Sequence, residues 1–579
     1  MRFLPSPALR QTLYILCIVC SAAASGLALD REAFTFTHYD LALQLDPGQH
    51  RMAVRGKITL RNDTQEPQKS AVLQISSSLD WRAIRSGEQA VEFLTQPYTS
   101  DVDHTGGLSE AIVTLPRTVA PGGTVDLDVA YEGVVPLDAT RLTRIGIPED
   151  AAENSDWDQI STTFTVLRGA GYVAWYPIAT EAANLSEGDS LSEVLARWNL
   201  REERSQMNLQ ILPIGMESAG KVLFNGTACM AANRESANSA TPETALDCKS
   251  SSMQNGTPTL VVGDYQGIDR TIVEVFYLKG HDAAATTFAD AAEKEAPLIT
   301  NWFGAQREKA RVVDLPNPHA APFESGALLL MSLAGADSRS PELAAAHQLT
   351  HASFLSLRPW IEEGLAHFAQ ALSVERQNGR QAALDYMRLH ASSLTELEQA
   401  APPSQGSGSR ALADTASEEL YRTKAMYVWW MLRDMIGDAP LRKALAAYRS
   451  DEDKDSSYMP RLIAAQTQRD LQWFFDDWVY HDRGLPDFKV ASVFAEKTAA
   501  NSFITTVTVD NSGAAGAEVP ILVKGGSGTV TQRLVVRAKS KAVIRIETAD
   551  APAEVVADDG SVPESDTANN TYKVSSVAH

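Results

Sequence analysis

Two histidines, His347 and His351, stand four residues apart in the run Ala346-His347-Gln348-Leu349-Thr350-His351. On a helix that spacing places both imidazoles on one face, one turn apart, where they can share a divalent metal ion such as zinc. In the H-E-x-x-H arrangement the residue after the first histidine is a glutamate that takes a proton from metal-bound water. Here that residue is Gln348, whose amide accepts hydrogen bonds but not a proton. The chemistry on offer is a metal site whose general base has been exchanged for an amide.

The flanking residues supply the elements such a site needs. Ser340-Pro341-Glu342 reads as an N-cap, a first-turn proline and an acidic first turn, opening a helix that runs through both histidines. Pro359 is expected to break that helix soon after Leu357. Trp360-Ile361-Glu362-Glu363-Gly364-Leu365-Ala366 then opens a second helical segment, able to deliver a carboxylate as third protein ligand to a His-His pair.

The Trp360 to Ala366 run resembles the W-L-N-E-G-F-A run of the membrane alanyl aminopeptidase family, gluzincin zinc metallopeptidases that include leukotriene hydrolase. The resemblance implies zinc, one ion, held by His347, His351 and Glu363. The spacer from Ala352 to Glu362 is several residues shorter than in that family. Residues 35–62 are similar to the opening strands of the family's amino-terminal β domain, and Phe474 to Pro486 is similar to the end of its catalytic domain. Tyr421-Arg422-Thr423-Lys424-Ala425 resembles the Y-x-K-G segment with one extra residue, which implies that Tyr421 is the tyrosine facing the transition state. Gly326-Ala327-Leu328-Leu329-Leu330 stands where the family has G-A-M-E-N, so Gly326 and Ala327 match its substrate-binding strand. Leu329 replaces the glutamate that grips a free amino terminus.

Loss of a general base typically removes about 10²–10⁴-fold of rate. Glu324 and Glu362 are the nearby carboxylates that could substitute, although neither has a spacing that aims it at the site. His367 lies one turn beyond Glu363 on the same helical face, as an outer partner, a replacement ligand or simply a packed or solvated residue. The Trp429-Trp430 pair and Trp478 read as core.

The chain has 579 residues and a net charge of −22, more than one hydrophobic core supports and too acidic for nucleic acid or an anionic membrane surface. Residues 1–28 carry Arg2 and Arg10, an apolar run from Leu13 to Ala24, and small residues suited to cleavage after Ala24 or Ala28. This is expected to be a secretory signal peptide, giving a secreted or periplasmic protein with no transmembrane segment in its mature chain. Of four cysteines, Cys17 and Cys20 fall inside that peptide. Cys229 and Cys248 remain, separated by a polar segment, with a disulfide as the first reading and metal ligation as the second.

Alternation of apolar and polar residues from Tyr39 to Leu45 and from Val125 to Tyr131 marks half-buried strands. From about Ala283 the apolar spacing turns helical as far as Trp478, interrupted by strands expected at 311–315 and 326–333. The helix from Tyr421 to Ile436 is apolar nearly all round and is expected to be buried. Segment 400–408 reads as a surface loop. Beyond Pro486 short strands return.

The expected fold is multidomain α+β: an amino-terminal β domain (29–265), a thermolysin-like, mainly helical metallopeptidase domain (266–487) and a carboxy-terminal β-sandwich (488–579). The expected function is that of an exported zinc metallopeptidase-type protein acting on peptides, its hydrolysis impaired by Gln348. The alternative is a non-catalytic pseudopeptidase that binds peptides or a protein partner.

Overall fold

The computed structural model describes residues 29–574 except 154, 156, 188–189, 214–219, 232–244, 254–255, 336–339, 401–410, 416 and 482. The segment read as a signal peptide, much of the polar stretch between the two cysteines and the loop at 401–408 lie outside the described residues.

The amino-terminal region is built of β-sheets. Strand Phe34–Asp46 buries Tyr39, Leu41, Leu43 and Leu45 and exposes Asp40 and Gln44, the outcome that its alternating pattern dictates. It pairs antiparallel with Arg51–Asn62 and parallel with Gln206–Pro213 at the centre of an eight-stranded sheet. A three-stranded and a four-stranded sheet complete this region, and the buried Trp175, Tyr176 and Trp198 belong to its core. Cys229 and Cys248 form a disulfide that ties strand Leu246–Ser252 to the segment that follows strand Thr227–Ala228.

The central region opens on a mixed five-stranded sheet. Its strands are β1 (Tyr265–Asp269), β2 (Val273–Leu278), β3 (Ala310–Asp314), β4 (Phe323–Ser325) and β5 (Leu328–Met331), in the order β1-β2-β3-β5-β4. Helix α1 (Asp282–Phe303) connects β2 to β3, which pair in parallel, as a crossover helix does. All four residues of β5 are buried, in keeping with an apolar run inside a covered sheet. Instead of one strand from Gly326, the chain makes a hairpin: Gly326 and Ala327 form a two-residue turn, and Glu324 pairs directly with Leu329. Gly326 has φ +57°, the positive value that the first central position of a type II′ turn requires and that glycine adopts without strain.

Helix α2 (Pro341–Ser353) carries both histidines and is buried on every side from Ala344 onward. It ends at Ser353, four residues before Leu357, because Phe354 turns extended. Pro359 therefore opens the next helix, α3 (Pro359–Asn378), at its first position, where a missing N–H costs nothing. Helix α4 (Arg380–Ala400) follows. A π-helical turn (Glu419–Lys424) then runs without a break into α5 (Ala425–Ile436), which buries Trp429 and Trp430. The extra residue between Tyr421 and Lys424 lies in this wide turn, the device by which helices absorb a one-residue insertion.

The carboxy-terminal region is a pair of antiparallel sheets of three and four strands. Its inward residues Val519, Ile521 and Val523 join the same apolar cluster as the helices, and Trp478 Nε1 donates to Gly516 O at 2.7 Å. The helical region and the sandwich thus share one core. No helix among the described residues is long and apolar enough to cross a membrane.

Helices α3 and α5 approach closely at Gly364. A Cβ there would lie 2.6 Å from Ala425 Cβ and 3.0 Å from Trp429 Nε1, which donates to Trp360 O at 3.1 Å. Gly364→Ala gains about 1 kcal/mol in helix propensity but overpacks the contact at a cost of roughly 1–3 kcal/mol. A lower denaturation midpoint is expected, and a higher one would contradict the packing described. The disulfide closes a loop with a sequence separation of 19. Its replacement by Cys229→Ser with Cys248→Ser should destabilise by about 3 kcal/mol in denaturant titrations, and labelling of unreduced, unfolded protein should find neither thiol free.

Candidate metal centre

The helix geometry does what the His-x-x-x-His spacing requires: His347 Nε2 and His351 Nε2 face each other 3.0 Å apart. Both residues are buried, 3% and 9% exposed. Neutral imidazoles hold such a distance only by sharing a proton or a cation between their lone pairs. Glu363 reaches in from the first turns of α3, with Oε1 3.5 Å from His351 Nε2 and Oε2 3.7 Å from His347 Nε2. Glu324 arrives from β4, its Oε2 3.1 Å from His347 Nε2. One ligand atom from each of these four residues lies within 4.8 Å of the others.

Donor type and spacing fit zinc. Imidazole nitrogens and carboxylate oxygens are its usual hard and borderline ligands, with bonds of about 2.0–2.2 Å. The electrostatics fit as well. Burial opposes a charge on His351, yet Glu363, Glu362 and Glu324 push its pKa up to about 9, so the centre of the cluster favours positive charge. Burial alone would raise the Glu324 carboxyl, but the facing His347 and His351, with Arg422, hold it well below the usual carboxylate range.

Glu362 meets His351 on the ring edge opposite the cluster. Its Oε1 accepts from His351 Nδ1 at 3.2 Å and its Oε2 accepts from the Ser356 backbone N–H at 2.5 Å. A proton held on Nδ1 in this way leaves Nε2 as a lone pair aimed into the cluster, the carboxylate–histidine–metal pattern of outer ligation. Burial raises the Glu362 carboxyl, while His351 draws it down. His367 packs edge-on against His347 with ring centroids 5.0 Å apart. Burial, His347 and Arg422 depress its pKa well below the ordinary histidine value, so it stays neutral.

Gln348 is engaged with the hairpin turn. Its Nε2 donates to Gly326 O at 3.3 Å, and its Oε1 is buried without a hydrogen-bond partner. The backbone of the Gly326-Ala327 turn is engaged from within, since Ala327 O also accepts from the Arg311 N–H at 2.8 Å. Tyr421 is half-buried in the π-helical turn, and burial, offset in part by Arg422, raises its pKa so that it remains a hydroxyl donor. Its neighbour Arg422, which the sequence did not single out, also borders the cluster, with Nε 3.5 Å from Glu363 Oε2. A cavity of about 220 Å³ opens beside the cluster, lined among others by Glu324, Leu329, Met331, Ser332, His347 and Gln370.

No protein-family model matches the chain, and no curated protein matches it in sequence. Solved structures do match. The M1 zinc metallopeptidase from Deinococcus radiodurans aligns at 17% identity and a TM-score of 0.52, over 78% of this chain and 95% of that one. The Legionella pneumophila aminopeptidase A, in complex with aspartic acid, aligns at 12% identity and a TM-score of 0.62, over 92% of this chain. The chain has the M1 zinc metallopeptidase fold. It spans 59% of the length of the longer Legionella chain and 97% of a two-domain mutant form of the Deinococcus enzyme bound to L-tryptophan. At these identities the likeness is one of architecture: amino-terminal β domain, helical middle and carboxy-terminal sheets.

Glu362→Gln keeps one acceptor and removes the other, so His351 loses its fixed orientation. Zinc affinity is expected to fall about 10–100-fold, measured by competition with a chromophoric chelator. An unchanged affinity would mean that Glu362 does not position His351.

Proposed function

We propose that this chain is an exported zinc protein of the membrane alanyl aminopeptidase family, a divergent gluzincin that binds peptides and hydrolyses them poorly. The observation that carries the reading is the convergence of His347, His351 and Glu363 on one point in an M1 metallopeptidase fold. Zinc in that position supplies a Lewis acid and lowers the pKa of water bound to it. The chain's own residues hold and orient it: His351 through Glu362, and Glu363 beside Arg422. Export is supported by the amino-terminal sequence and agrees with a disulfide.

Impairment follows from Gln348. An amide engaged with Gly326 O abstracts no proton, and peptide hydrolysis should run about 10²–10⁴-fold below that of a site with a base. Leu329 lines the cavity as an apolar residue and offers no charge to a free amino terminus, so an internal stretch of peptide suits the cleft better than a chain end. The second reading, a pseudopeptidase that retains peptides or a protein partner without cleaving them, is favoured by this same engagement of Gln348.

Elemental analysis of the purified mature protein should find one zinc per chain, lost in His347→Ala. A fluorogenic endopeptide library should be bound but turned over slowly. Protein free of stoichiometric metal, with His347→Ala indistinguishable from wild type, would overturn the zinc reading. Rapid cleavage of aminopeptidase substrates would overturn the assignment of Gln348 and Leu329.

A further inference from the structure

A catalytic zinc keeps one of its four positions open for water, whereas a structural zinc is closed by four protein ligands. The cluster has four donors. Ligands on a tetrahedral zinc with bonds of about 2.0–2.1 Å lie roughly 3.3–3.4 Å from one another. The separations from His347 Nε2 to His351 Nε2, Glu324 Oε2 and Glu363 Oε2 are 3.0, 3.1 and 3.7 Å, and His351 Nε2 to Glu363 Oε1 is 3.5 Å. Glu324 Oε2 thus sits at about a ligand-to-ligand distance from His347 Nε2, and one of its carboxylate oxygens lies within 4.8 Å of a ligand atom on each of His351 and Glu363.

The backbone puts it there. Glu324 is fixed on β4 by its pairing with Leu329, across the turn at Gly326. That turn is fastened to the metal helix by Gln348 Nε2 on Gly326 O. A glutamate at position 348 could not make this bond, because a carboxylate facing a carbonyl sets acceptor against acceptor. The exchange of base for amide therefore does two things at once: it removes proton abstraction and it holds down the hairpin that brings a further carboxylate to the metal. Two carboxylates also balance the charge of a dication held between neutral imidazoles.

We propose that Glu324 is the fourth protein ligand of the metal, and that Gln348 is the positioning residue that holds it in place, making a closed centre with no position for water. This rests on the zinc reading above and takes its non-cleaving form, the pseudopeptidase, because a closed centre binds no water.

Cobalt(II) replacing zinc reports coordination through its visible absorption, with acetohydroxamate as a small probe that binds only an open metal position. In the wild type the spectrum should be intense, four-coordinate and unchanged by acetohydroxamate. In Glu324→Ala and in the volume-conserving Glu324→Gln the probe should bind and shift the bands. Metal affinity in both should fall by at least the roughly 10–100-fold that losing an outer partner costs, with the thermal transition of the metal-free protein little changed. Gln348→Glu should retain cobalt and gain a response to the probe. A wild-type spectrum that shifts with acetohydroxamate as the Glu324 variants do would overturn the closed centre while leaving the metal site standing. Wild type that takes up no more cobalt than His347→Ala would overturn the metal site, and Glu324 as its ligand with it.

Discussion

The meeting of lone pairs at His347 Nε2 is the constraint around which the central region is arranged. Three separate elements contribute to one point: the β4–β5 hairpin, the helix that carries both histidines and the helix that carries Glu363. Buried imidazoles and carboxylates at contact distance are costly unless something satisfies them all together. A shared dication does so, and it needs each donor held to within about half an ångström. The surroundings are fitted to that tolerance. Helix α2 is buried on every side, α3 lies against α5 at a glycine, and Trp360 stacks on Trp429 with ring centroids 5.1 Å apart. A displacement of α3 would move Glu363 and Glu362 together, one from the metal and the other from His351.

Much of this arrangement was legible in the sequence, because its signals are local and periodic. The alternation from Tyr39 to Leu45 describes a half-buried strand and becomes one. The His-x-x-x-His spacing describes one helical face and places two nitrogens 3.0 Å apart. The α+β architecture with its carboxy-terminal sandwich follows from where one period gives way to the other. Element ends were less legible. Pro359 marks a helix boundary in the sequence, and in the structure it opens the second helix rather than ending the first, since proline does not say on which side the helix lies.

Tertiary contacts were the least legible. Nothing in the sequence spacing of Glu324 aims it at the metal; its aim comes from a two-residue turn at Gly326-Ala327. The glycine was the available signal, since Gly at the first position of a short turn between apolar residues marks a hairpin and sets Glu324 opposite Leu329. Arg422 had no signal of this kind. Its approach to Glu363 depends on the wide turn at Glu419–Lys424, which no local preference announces. The sequence shows Gln348 in the place of the base, whereas its bond to Gly326 O depends on where that hairpin docks.

The central claim is that a single metal ion is bound by His347, His351 and Glu363. Anomalous diffraction at the zinc absorption edge, on crystals of the mature protein, tests it most directly. One anomalous peak about 2.0–2.2 Å from both Nε2 atoms and a Glu363 oxygen is the expected result. A map with no peak at this cluster, from crystals grown with zinc present, would contradict it.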